Sequence, residues 1–295
     1  MNTAVRVAGF VVALAAVFAL SLGVGSAFGP TEEPAIVAEH DTHGGGSGSH
    51  DAEPAKLPGG LMVSQDGYTL DLAEDRTTPG DAVPVAFTIT GPDGHPVTSY
   101  DVEHEKNLHL IAVRRDFTGF QHVHPQLSKN GEWSTELDLT AGQWRVFADF
   151  KARDAEAITL GADLAVQGGY RPVVREQESR TADVDGYAVT LDGDLAAGSD
   201  ARLTRSVTRD GEPVTDLQPY LGAYGHLVAL RSGDLAYLHV HPDGTPDDGT
   251  TRPGPHAVFY AAVPSAGTYH LFLDFKHDGV VHTAAFTVQA SGGHQ

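Results

Sequence analysis

The sequence contains no cysteine and only two methionines, Met1 and Met62. The first absence excludes disulfides, thiolate zinc sites, iron–sulfur clusters and the Cys-ligated blue-copper site, and it leaves no redox compartment to be read from Cys. The second leaves a thioether Cu(I) site with at most one partner beyond the N-terminus, so imidazole and carboxylate are the metal ligands on offer. Basic residues are scarce too. With 19 Lys+Arg against 39 Asp+Glu the formal charge is −20 with His neutral, which excludes a chain-wide basic surface for nucleic acid. There is no Walker loop, no G-x-S-x-G elbow, no H-E-x-x-H and no GxGxxG opening a helix. A His₃ ion with an open position could in principle activate water, but no recognisable pocket or general base accompanies it, so no enzyme is expected.

What is present suits an ordinary globular protein: 295 residues, 41% hydrophobic and 20% charged, enough chain for about two domains. Residues 1–6 form a short stub ending in Arg6, and the 22 residues Val7–Phe28 that follow carry no charge. As a helix they would span about 33 Å, enough for a hydrocarbon core of roughly 30 Å. Arg6 before the segment and Glu32 and Glu33 after it orient the bulk of the chain outside the cytoplasm, as a single-pass membrane protein. The rival is a cleaved signal peptide ending near Gly25-Ser26-Ala27, which would make the protein secreted. Residues 29–58 read as a Gly/Ser/Pro-rich tether. Its His40, Asp41, His43, His50 and Asp51 could hold a divalent ion loosely, although a solvated linker with incidental histidines is the default.

The remainder is an internal repeat. Asp93–Pro125 lies without a gap on Asp210–Pro242, with identity at 13 of 33 positions. Downstream, VFADFK (Val146–Lys151) matches LFLDFK (Leu271–Lys276). The copies fall within 59–170 and 171–295, the second including a short polar linker and a tail. Short β-rich runs separated by Gly, Pro, Asp and Asn recur in each, without helical periodicity. In the first copy strands are expected at Tyr68–Ala73, Ala82–Thr90, Leu108–Arg114, Phe120–Pro125, Trp133–Leu139, Gln143–Lys151 and Thr159–Val166. The second has an equivalent set, from Tyr187–Leu191 through Val280–Val288. The fold class is therefore all-β: two tandem immunoglobulin-like β-sandwiches behind an N-terminal transmembrane helix.

The histidines follow the repeat. If Leu108–Arg114 and Phe120–Pro125 form a hairpin with Val113 opposite Phe120, Ile111 pairs with His122 and His109 with His124. His109, His122 and His124 then project from one side, at distances from which imidazoles can converge on one ion. The second copy repeats this with His226, His239 and His241, so each copy is expected to hold one divalent metal. A one-residue slip would remove the site. The bland reading makes the same residues a polar pin between strands, satisfied by backbone carbonyls. Asp149 and Asp274 sit in the other shared motif. Alternation places Asp149 with Arg145, Phe147 and Lys151 on what looks like the polar face, so an Asp–Lys pair is the default. A fourth ligand, or an acceptor for a His N–H, is the alternative. His104 and Glu105 have Leu221 and Gly222 at their aligned positions and could add ligands to the first copy only.

At NLHLIAVRRDFTGFQHVHP, followed by GQWRVFADFK, the sequence resembles the YtkA-like group of exported, usually membrane-tethered β-sandwich proteins, with FixH-like and CopC-like relatives. The resemblance covers both repeats but not the tether. It implies envelope metal handling, particularly of copper, although the lack of Met clusters departs from the methionine-rich copper proteins. The combined expectation is an extracytoplasmic protein binding Cu(II) ahead of Zn(II) by affinity order. Its partners would be the ion, the membrane and another envelope protein. The alternative is a non-metal interaction or scaffold module with structural His triads.

Overall fold

A computed structural model describes residues 57–174, 177–238 and 240–292. The expected membrane span, most of the tether and His239 lie outside these residues. No helix long and apolar enough to cross a membrane occurs among those described.

The first sandwich contains β1 (Ser64–Gln65), β2 (Tyr68–Leu72), β3 (Arg76–Thr77), β4 (Gly80–Thr90), β5 (Leu108–Arg114), β6 (Gln121–Val123), β7 (Gln126–Leu127), β8 (Glu132–Leu139), β9 (Gly142–Lys151) and β10 (Ala157–Val166). One sheet has the order β1-β2-β4-β8-β7 and the other β3-β10-β9-β5-β6, with β3 parallel to β10 and the other pairings antiparallel. This strand order is that of an immunoglobulin-like sandwich. The second sandwich repeats it with β11 (Thr181–Val184), β12 (Tyr187–Asp192), β13 (Leu195–Ala196), β14 (Ser199–Arg209), β15 (Glu212–Pro213), β16 (His226–Arg231), β17 (Tyr237–Leu238), β18 (Val240–Pro242), β19 (His256–Val263), β20 (Gly267–His277) and β21 (Val280–Ser291). Its sheets run β11-β12-β14-β19-β18, with β15 added to β14, and β13-β21-β20-β16-β17.

Alternation builds each core. In β4, Val85, Phe87 and Ile89 point inward and pack with Trp133, Leu137 and Trp144; in β14, Ala201, Leu203 and Val207 do the same with Phe259, Tyr269 and Phe286. The middle of β9 breaks the alternation: Val146, Phe147 and Ala148 are all buried. A strand buried on both faces reads as a continuous apolar run. The face of Phe147 is therefore not the polar side that alternation suggested; it packs against the other sandwich. A third apolar cluster joins the two repeats, with Ile111, Val113, Phe117 and Phe147 from the first and Val228, Leu230, Leu235, Tyr237 and Phe272 from the second. Phe120 stacks on Phe272 at 4.1 Å, and Phe117 on His270 at 3.8 Å.

The chain enters the first sandwich through this joint. Tyr237 N–H donates to Gly59 O (2.9 Å), Gly60 N–H to Thr159 O (2.8 Å) and Gly161 N–H to Met62 O (2.9 Å). The Arg145 guanidinium donates to Gly60 O (2.6 Å) and Leu61 O (3.0 Å). The approach requires glycine at 161, where a Cβ would stand 2.1 Å from Gly60 O.

Candidate metal centre

The hairpin register is the one expected. Ile111 pairs with His122, Ala112 with Gln121 and Leu110 with Val123. β6 ends at Val123, so His124 lies just past the ladder, yet its ring centroid stands 5.1 Å from that of His109 and 5.0 Å from that of His122. Both sandwiches contribute to the cluster these three form. His226, at the start of β16, lies 4.7 Å from His122 and 5.5 Å from His109. Two imidazoles on a tetrahedral ion with bonds of about 2.0–2.1 Å have centroids about 5 Å apart, so these separations suit a common ion. Ligand atoms of His109, His122 and His124 lie within 4.8 Å of one another, as do those of His122, His226 and Asp274.

Proton bookkeeping sharpens the geometry. His109 Nε2 is 3.1 Å from Glu103 O, and a carbonyl only accepts, so the proton of neutral His109 sits on Nε2 and leaves Nδ1 bare. His122 Nδ1 is 2.8 Å from Asp274 Oδ2; donation to that carboxylate leaves Nε2 of a neutral His122 bare as well. These two bare nitrogens face each other at 3.0 Å. Lone pairs at that distance repel unless a cation, whether a proton or a metal ion, lies between or beside them. Ligating histidines are commonly held in this way, with the second ring N–H given to a carbonyl or a carboxylate. His124 Nε2 and His226 Nδ1 are also buried and have no hydrogen-bond partner.

Electrostatics push the same way. Burial, reinforced by His122, lowers the pKa of His109 to about 4 and that of His124 to about 3; burial holds His226 well below the usual imidazole range. Neutral imidazole is the form that binds metal.

Several sequence-derived placements change. The first copy's expected triad converges, whereas His226 and His241 of the second copy are drawn to different places. In the second copy the hairpin register starts as expected, with Leu230 opposite Tyr237. The chain then crosses to the opposite sheet, where His241 pairs with Tyr260 in the β18–β19 ladder and is exposed. His226 instead joins the first copy's triad across the joint. His239 lies outside the described residues. The Asp–Lys default also fails. Lys151 is near Asp101 (4.0 Å) and Glu103 (3.8 Å), while Asp149 accepts from Thr159 Oγ1 (2.8 Å) in a buried position that raises its pKa to about 6. Asp274 takes the acceptor role, held on its other oxygen by Thr283 Oγ1 (2.6 Å). His104 stands at the rim, 6.0 Å from His109 and 5.7 Å from His226, and the exposed Glu105 beside it makes no described contact with the cluster. Sequence reasoning did not foresee that the site is shared. The signal was available in the double-sided apolar run Val146–Ala148, which needs a second covering layer.

The family described as a domain of unknown function, DUF8832, matches residues 63–168 and 182–292, more than half of the chain. No curated protein matches the chain in sequence. Among solved structures it is similar to the Escherichia coli adhesin FdeC, at 14% identity over 78% of this chain and 65% of that one, TM-score 0.26. It is also similar to the Yersinia pseudotuberculosis adhesin InvE, at 13% identity over 75% and 58%, TM-score 0.24. The chain thus spans less than two thirds of either adhesin chain, and scores this low carry no argument about function.

Proposed function

Since the chain belongs to the DUF8832 family, in two tandem copies, we propose that these copies act together to bind a single divalent transition metal ion in the joint between them. His109, His122, His124 and His226 are the ligands, and Asp274 orients His122 from behind. The observation that carries this reading is the pair of bare nitrogens, His109 Nδ1 and His122 Nε2, fixed 3.0 Å apart by hydrogen bonds on their far sides. An all-imidazole set without thiolate or thioether suits Cu(II) and Zn(II), with Cu(II) ahead at equal availability. Combined with the apolar Val7–Phe28 segment and the resemblance to YtkA-like proteins, this makes the protein a membrane-anchored, extracytoplasmic metal handler. Its role is binding, not catalysis.

One observation favours a second reading. A buried His122–Asp274 pair, with side chains only 2% and 3% exposed, would also form if His122 were an imidazolium donating to Asp274 and His109. The cluster would then be a polar clasp in a protein-interaction module. Elemental analysis of the purified full-length chain after equilibration with copper and zinc separates the two. One tightly held ion, lost in His109→Ala and His122→Ala but kept in His241→Ala, is the expected result; no ion on the unmutated chain refutes the metal reading.

A further inference from the structure

His104 occupies a turn that the two repeats share in shape but not in chemistry. Glu103 and Lys106 exchange backbone hydrogen bonds of 2.9 and 3.0 Å across His104-Glu105, as Tyr220 and Ala223 do across Leu221-Gly222 at 2.8 and 3.2 Å. Both central residues have positive φ in each case: 47° and 66° in the first repeat, 56° and 75° in the second. Two-residue turns of this kind favour Asn-Gly. His104 and Leu221 alike hold the first position at a cost of order 1–3 kcal/mol, but at the second position the second repeat supplies glycine whereas the first holds Glu105 at a further cost of the same order. Strain of this kind persists where the surroundings enforce it, and it gathers at functional positions.

The strained turn touches the site in two ways. Its Glu103 carbonyl fixes the His109 proton on Nε2, and its His104 ring stands within 6.0 Å of both His109 and His226. His104 is nonetheless exposed. Together with Glu103, Lys106 and His109 it lines an open cleft of about 1050 Å³ between the sandwiches, whose far side carries Tyr237 and Leu238. His109, the most buried imidazole of the cluster, therefore meets this open cleft beside His104.

We propose, building on the metal reading above, that His104 is an exchange ligand: it takes the divalent cation in the cleft and shares it with His109 and His226 during entry and exit. The ion is then cargo to be passed on, since a structural ion needs no solvent-side imidazole to release it.

The test uses the full-length chain, so that the tether histidines contribute equally throughout. Zn(II) uptake, and its extraction by EDTA, are followed by stopped flow in the unmutated protein, in His104→Leu, which copies the second repeat's turn, and in His104→Gln. Elemental analysis gives the final occupancy and thermal melting confirms the fold. Both rates should fall at least about tenfold in both variants, with occupancy at saturating Zn(II) unchanged. Unchanged rates overturn the proposal, and so does loss of the ion itself, which would make His104 a permanent ligand. Failure of the unmutated chain to take up Zn(II) or Cu(II) defeats the underlying metal reading instead, and is told apart by that result.

Discussion

The two sandwiches share topology, hairpin register and the spacing of their histidines, yet they divide one site between them unequally. The first donates His109, His122 and His124; the second donates His226 and Asp274. The divergence begins at equivalent positions. The second repeat joins the opposite sheet at Val240, whereas the aligned Val123 still belongs to β6 and the first repeat crosses only at Gln126. His241 is thereby carried to an exposed ladder position, while His124 stays with the cluster. Identical motifs do not imply identical sites when a repeat packs against its own copy; each face is completed by whatever covers it.

The sharpest way to break this comparison is to treat the copies alike. His122→Ala is expected to abolish stable ion binding and His241→Ala to leave one ion per chain, measured by elemental analysis; equal losses would restore two independent sites. Phe272→Ala removes the ring stacked on Phe120 and should cost about 3–5 kcal/mol, read as a lowered melting temperature together with weakened metal binding. The aligned acids make a finer comparison. Asp274→Asn should weaken affinity about 10–100-fold in a calorimetric titration, because it takes the carboxylate from behind His122, while Asp149→Asn should leave it almost unchanged.

The smallest effect is in the pH dependence of the metal-free protein. His109 and His124 have folded pKa values of about 4 and 3, below the ordinary 6.5, so the unfolded chain binds protons that the folded one refuses. Their contribution therefore weakens as pH falls from 6.5 toward about 3. Asp149, raised from 3.8 to about 6, acts in the opposite sense: its folded state holds the proton longer, and its contribution weakens as pH rises through that interval. Urea midpoints between pH 4 and 6 should thus depend more steeply on pH in Asp149→Asn than in the unmutated chain.

Much of this was legible in the sequence. β5 has the bounds that its apolar run Leu108–Arg114 indicated, and the pairing of Ile111 with His122 followed from alternation and the turn. These are local consequences of a period-two pattern. What alternation cannot supply is the identity of the covering layer. Phe147 and Asp149 lie on a face that looked solvent-directed until a second sandwich was placed on it, and the acid that meets His122 comes from position 274, 152 residues away. The crossing at Val240 was equally hidden, because the HVHP string is the same in both copies and the choice of sheet is made by packing.

The glycine-rich entry of the chain carries one more consequence. Gly59 and Gly60 are stitched to Thr159 on one sandwich and Tyr237 on the other, so traction on the chain at Gly59 would reach the joint between the halves before it reached either core. The entry segment is thus also a strap across the seam beside the imidazole cluster, and force applied to it would load that seam first.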